Sequence, residues 1–333
     1  MSPRQAMSFL AVLCFAFLEL STRAADSNAL SLVKTIPLPG VRGRIDHFAI
    51  DNKGERLFMA ALGNDTVEVI DLAAGKRIHT IPHCSEPQGL AFVPAANRLV
   101  IANGSSGEVK LLDATSFEAI KSIGNMPDAD NVRYDAKSDL IYMGYGDGAL
   151  GIIRAANAEM IASIKLDGHP ESFQLEQNGG RIFVNVPDAG NIEVIDRDKR
   201  TRIATWPMEQ FRANFPMGLD EANHRLFIGC RHPARLVVLD TNTGKKVSDV
   251  EIAGDTDDLY YDAQRKQIYV SCGAGFIDVI SQQSADSYQL REQVATTSGA
   301  RTSFFSAERG ELYLAVRAGF ISGSAAIRVY RPR

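Results

Sequence analysis

The sequence predicts an all-β fold, a seven-bladed β-propeller of four-stranded antiparallel blades closed by an N-terminal strand that completes the last blade. Three observations carry this. A strand–turn–strand phrase is written seven times. Its second strands open at Leu57-Phe58, Leu99-Val100, Ile141-Tyr142, Ile182-Phe183, Leu226-Phe227, Ile268-Tyr269 and Leu312-Tyr313, at intervals of 42, 42, 41, 44, 42 and 44 residues. The seventh copy stops after its third strand at Arg333, while residues 30–38 (LSLVKTIPL) read as a fourth strand ahead of the first copy.

Residues 44–71 show the unit. Residues 46–51 begin polar and turn apolar, and Asn52-Lys53-Gly54 makes a turn. Leu57-Phe58-Met59-Ala60 is a continuous apolar run, as expected of a strand buried on both faces. Gly63-Asn64-Asp65 leads into VEVID, and residues 77–81 supply a fourth strand. Third strands follow in step in the other copies: VKLLD, LGIIR, IEVID, LVVLD, FIDVI and IRVYR. An acid closes the first strand in five copies (Asp51, Asp135, Glu176, Asp220, Asp262), and Val93 and Ser306 stand there in the other two. A single unit leaves its sheet faces uncovered, whereas stacking around an axis covers them and pairing the two chain ends leaves no open seam. The longer connections are 207–214, 282–298 and 317–324, and the second has room for the sixth blade's outer strand.

Residues 1–24 read as a cleavable secretory signal peptide: Arg4, the apolar run FLAVLCFAFL at 9–18, and the small-x-small site Thr22-Arg23-Ala24. Residues 25–333 form one domain. A periplasmic or secreted location is expected, with no membrane span after cleavage and a monomeric state. Loss of Arg4, Arg23 and Glu19 leaves 34 basic and 39 acidic residues, a net charge of −5. That balance argues against nonspecific nucleic-acid binding, which rests on many phosphate contacts from Lys and Arg. Of the cysteines, Cys14 lies in the signal peptide, and Cys84, Cys230 and Cys272 remain, an odd number that leaves at least one unpaired. Cys230 and Cys272 hold equivalent places in neighbouring copies; a disulfide between them and burial as small apolar residues are the two alternatives.

Loops leading into the inner strands of a propeller ring one mouth of its channel. Alignment on the second strand makes Asp46, Gln88, Asp130, Glu171, Phe215, Asp257 and Arg301 equivalent. The next position holds His47, Gly89, Asn131, Ser172, Pro216, Asp258 and Thr302, and the one two residues earlier holds Arg44, Glu86, Asp128, His169, Ala213, Asp255 and Gly299. The loops at Cys230-Arg231-His232 and Val316-Arg317 reach the same face. The ligand-binding candidates are therefore Arg44, Asp46, His47, Asp128, Asp130, Asn131, His169, Glu171, Asp255, Asp257, Asp258 and Arg301. Four carboxylates in one ring repel one another unless a cation or arginines neutralise them. Arg44 and Arg301 are the internal candidates. A divalent cation on Asp46, Asp130, Glu171 and Asp257 is the other, with Ca²⁺, Mg²⁺ or Mn²⁺ suited to oxygen ligands and Zn²⁺ or Fe conceivable with His47 or His169. Polar residues that merely solvate a water-filled channel would give the same pattern. No Gly-x-Ser-x-Gly, His-Glu-x-x-His or phosphate-cradling loop is present, and Gly144–Gly148 reads as a turn between strands.

The phrases ERLFMAALGNDTVEVIDLAAGK, NRLVIANGSSGEVKLLDATS and RIFVNVPDAGNIEVIDRDKR resemble the YVTN-type β-propeller repeat, and RIDHFAID, DADNVRYD, GHPESFQL and GDTDDLYYD are similar to its YncE-like secreted branch. The resemblance spans the mature chain and implies an exported seven-bladed propeller without implying a reaction. Phe215-Pro216 and Arg301-Thr302-Ser303 depart from the repeat, which would make the mouth asymmetric. The function expected is a binding module holding a small ligand, a cation or a protein partner at the mouth. The alternative is a metal-dependent hydrolase: likeness in general plan to gluconolactonase-type propellers implies a cation polarising a lactone or ester carbonyl, with Asp46, His47, Glu171 and Asp257 sharing the roles of ligand and base. A lyase acting through His169 and Glu171 rests only on their proximity.

Overall fold

The computed structural model describes residues 29–319 and 323–333; the expected signal peptide lies outside the described residues. The described chain forms seven four-stranded antiparallel sheets. Blade 1 consists of Phe48–Asp51, Arg56–Ala61, Thr66–Asp71 and Lys76–Ile81, in that order from the channel outward. The inner strands of blades 2 to 6 are Pro87–Val93, Val132–Asp135, Phe173–Leu175, Arg212–Asp220 and Thr256–Asp262. Blade 7 takes Ser303–Ser306, Glu311–Val316 and Ala325–Pro332 from the C-terminus and its outer strand, Leu30–Leu38, from the N-terminus. That closing strand pairs from Leu30↔Pro332 to Leu38↔Ala325, and the Arg333 N–H donates to the Ala29 carbonyl at 3.0 Å.

Register confirms the sevenfold equivalence. The third residue of each second strand faces the corresponding inner-strand residue: Ala49↔Phe58, Ala91↔Val100, Arg133↔Tyr142, Gln174↔Phe183, Gly218↔Phe227, Tyr260↔Tyr269 and Phe304↔Tyr313. Hydrophobic burial holds adjacent blades together. Phe58 and Val69 of blade 1, for example, share one buried cluster with Leu90, Leu99 and Ile101 of blade 2. The recurrent acid at the end of the first strand holds the turn: Asp51 Oδ1 accepts the Gly54 N–H at 2.9 Å and its other oxygen receives Arg56 at 2.7 Å, while Glu176 and Asp262 serve the next turn's N–H groups in their blades.

The acid at the third residue of several third strands has a different task. Glu193 accepts the Asp167 N–H at 2.7 Å, and Asp278 accepts the Ala253 N–H at 2.6 Å. Both donors lie in the chain crossing from the preceding blade, so these wholly buried acids satisfy an otherwise orphaned backbone group and fasten neighbours together. Glu68 instead receives Arg77 and Thr80 from its own outer strand.

Two expectations are amended. The first inner strand begins at Phe48 rather than Asp46, because the pairing is bulged there. Cys84, Cys230 and Cys272 are all free and buried, which settles the choice for Cys230 and Cys272 in favour of packing. The sixth blade's outer strand does lie within the long connection, at Ser287–Ala295, and Trp206 sits on an outer strand against Phe183, with ring centroids 5.6 Å apart.

Candidate functional site at the channel mouth

A repeated β-bulge aims the mouth residues. Ala60 bonds both members of one pair, accepting from the Asp46 N–H at 2.8 Å and donating to the His47 carbonyl at 3.0 Å. Gly144 does the same for Asp130 and Asn131, and Asn185 for Glu171 and Ser172. In blade 5 the register shift between Asn214 and Met217 leaves Phe215 and Pro216 facing Gly229. Two residues opposite one force the strand to bend and turn a side chain off the sheet; here it turns into the mouth. Gly89 is glycine for lack of space, since a Cβ there would stand 2.4 Å from the Asp130 carbonyl oxygen.

The charges fall into two arcs. Blades 5, 6, 7 and 1 bring Arg231, Arg301 and Arg44 around Asp255, Asp257 and Asp46. Arg301 Nε lies 3.1 Å from Asp257, and its other end pairs with Asp255. Arg231 pairs with Asp257, reaches Asp255 at 3.6 Å and donates to the Thr256 carbonyl at 2.8 Å. Arg44 meets Asp46 at 2.8 Å. Arg317 has no ion-pair partner among the described residues; burial and the charges of Arg301 and Arg44 press its pKa down. Blades 2 to 4 present the acidic arc. Asp128 is exposed, accepts from Gln88 at 3.1 Å and stands 3.5 Å from His169, whose Nδ1 is 2.7 Å from the Gly146 carbonyl. Asp130 and Asn131 are buried. The Glu171 carboxyl makes no hydrogen bond or ion pair among the described residues.

His47 lies between the arcs, its Nδ1 2.9 Å from Asp46 and 3.5 Å from Asp130. Burial works against its charge, but the Asp46 hydrogen bond and the Asp130, Asp46 and Asp258 charges prevail and lift its pKa to about 10. Burial alone would raise Asp46, yet His47 and the Arg44 and Arg301 charges bring it down to about 2. Glu171, Asp130, Asp258 and Asp257 move upward. Burial, then the Asp130 and Asp257 charges, push Glu171 to about 8, while burial, opposed by His47, takes Asp130 to about 6. Asp258, buried and accepting the Ser303 N–H at 2.7 Å, rises to about 7. Asp257 is raised by burial despite Arg301 and Arg231. Several strongly shifted carboxyls gathered in one concave site make it the candidate functional site.

The fit to a metal ion is partial. Asp46, His47 and Asp130 offer ligand atoms within 4.8 Å of one another, and Asp130 Oδ1 is enclosed without a hydrogen bond. Asp257 is covered by two arginines, and Glu171 does not join this set. The cavity the mouth residues enclose is about 30 Å³, room for a water or an ion; anything larger rests over it.

A second, larger cavity lies behind the mouth, and residue-by-residue sequence reading missed it. It fills the channel with about 440 Å³, lined by inner-strand residues from Phe48 to Phe304 and reaching the opposite face at the exposed Pro94 and Ala136. His47, Ser172 and Asp258 line both cavities and separate them. The available signal was the position three residues beyond each mouth residue, where Ala49 and Ala91 leave space and Arg133, Gln174, Tyr260 and Phe304 face it.

No protein-family model matches the chain, and no curated protein matches it. Solved structures do. The chain is similar to the crystal structure of the RRP9 WD40 repeats (TM-score 0.77, 10% identity, covering 90% of this chain and 97% of that one). It is similar to a chain of a mitotic checkpoint complex (0.76, 13%, 98% and 98%) and to Kuenenia stuttgartiensis hydrazine synthase (0.74, 15%, 87% and 98%). At such identities the likeness is one of fold.

Proposed function

We propose that this propeller is an exported binding module of YncE-like type that holds a small dipolar ligand over its channel mouth. The ligand's anionic end lies toward Arg301 and Arg317, and its cationic or hydrogen-bond-donating end toward Glu171 and Asp130. The observation that carries this reading is the division of mouth charge into an arginine-rich arc and an acidic arc, with the Glu171 carboxyl of the acidic arc unpartnered. A fixed pattern of opposed charges selects orientation and partner. The periplasmic or secreted location belongs to the same proposal and rests on the character of residues 1–24. The test is a thermal-shift screen of zwitterionic and polar metabolites. Hits should stabilise the protein and lose that effect in both Arg301→Ala and Glu171→Gln; hits indifferent to both substitutions would remove the mouth from consideration.

One observation favours a second reading. The close approach of Asp46, His47 and Asp130 suits a divalent cation, and such an ion could polarise a lactone or ester carbonyl with Glu171 as the nearby base. Its weakness is that Arg44 and the charged His47 already occupy the Asp46 carboxylate. Lactone hydrolysis abolished by chelation and by Asp130→Asn would favour it, and hydrolysis untouched by either would end it.

A further inference from the structure

The channel behind the mouth carries a charged group that the mouth site leaves unused. Arg133 lies near the closed end of the 440 Å³ cavity. It stacks 5.3 Å from the centroid of the Phe173 ring. Its guanidinium donates to neutral acceptors: the Val132 carbonyl at 3.0 Å, Ser172 Oγ at 3.3 Å and Asn131 Oδ1 at 3.4 Å. No carboxylate pairs with it among the described residues. The last two bonds are long, and the guanidinium's five N–H groups leave donors without a partner. A guanidinium enclosed by protein is ordinarily paired with an anion, because an unpaired charge away from water is costly.

The other charged groups at this end are already engaged. His47 is held by Asp46 at 2.9 Å, and Asp258 accepts the Ser303 N–H at 2.7 Å. Below them the wall is largely apolar, with Phe92, Leu259 and Phe304 among its residues, and Ala49 and Ala91 keep the channel wide. The volume falls in the range of small-molecule sites, which join an apolar body to a few fixed polar groups.

We propose that the channel is a second binding site, entered from the face opposite the charged mouth, for a small amphipathic carboxylate such as an aromatic or branched aliphatic acid. The carboxylate pairs with Arg133 and the apolar body lies along the channel wall. This does not depend on the mouth being a ligand site.

The test uses 4-phenylbutyrate and its uncharged analogue 4-phenylbutanamide as probes, titrated calorimetrically into the mature protein. The acid should bind saturably and the amide at least about tenfold more weakly, as loss of a charge-assisted pair implies. Arg133→Met should weaken the acid by a similar factor while leaving the amide unchanged. Ala91→Phe, which narrows the channel but keeps Arg133, should abolish binding of both. Absence of saturable binding by the folded wild-type protein, equal affinity for acid and amide, or binding that survives Ala91→Phe would overturn the proposal. The acid–amide comparison on the wild type decides the role of charge even if Arg133→Met does not fold.

Discussion

The Arg231 guanidinium lies 3.9 Å from the centroid of the Phe215 ring. Phe215 breaks the run of polar residues around the mouth, and its ring forms the platform on which Arg231 is held toward Asp257 and Asp255. A guanidinium stacked on an aromatic face loses little further freedom on pairing. Arg231→Met should therefore destabilise the protein by about 1–3 kcal/mol, leaving Asp257 with Arg301 alone. Part of that loss should return in the double variant Arg231→Met/Asp257→Asn. Urea denaturation of the single and double variants measures both, and strictly additive losses would show that the pair is not coupled.

Glu171 should make stability fall with rising pH. Its folded pKa of about 8 stands above the ordinary 4.5. Between those values the folded state holds a proton that the unfolded chain has released, so the stability present at low pH is lost as the pH rises through 8. Glu171→Gln removes that dependence. Its melting temperature should exceed that of the wild type at pH 9 by several degrees, and the two should converge near pH 4. A difference constant across this range would contradict the burial assigned to the carboxyl.

Closure depends on the N-terminal strand. Ile36 is wholly buried between the closing strand and its neighbours, and Ile36→Ala should cost about 2–5 kcal/mol. Global unfolding in denaturant should register this as one cooperative loss. A silent substitution would mean that the strand is dispensable to the ring.

The three thiols should resist modification. Burial raises Cys84 to about 11 and Cys230 to about 12, and it raises Cys272 as well. A disulfide-exchange reagent at pH 8 should find none reactive in native protein made from residues 25–333 and three after unfolding; fewer than three would reveal a bond between two of them.

The blade repeat was legible in the sequence because each blade must bury the same second strand, which writes Leu57-Phe58 and its six counterparts at a near-constant interval. The mouth positions were legible for the same reason: a fixed offset from a fixed strand. The bulge was not, since opposing two residues with one leaves no mark on hydrophobic alternation; it moved the expected strand start from Asp46 to Phe48. The pairing of Arg231 was invisible in detail because it depends on which arginine reaches Asp257 across a blade boundary. Nothing in the sequence around Arg133 marks it out from other charges in the strands. Its setting is made in part by Ala49 and Ala91, far away in sequence, whose small size matters only once the ring closes.

The protein's own arginines and His47 balance the acids at the mouth, and the ligand proposed for it is an organic dipole rather than a metal ion. Elemental analysis of the protein, expressed from the full sequence and purified without chelator or affinity tag, tests this most directly. Divalent metal well below one ion per chain is the expected result. One tightly held ion per chain, lost in Asp130→Asn, would contradict it and place the metal-dependent hydrolase first.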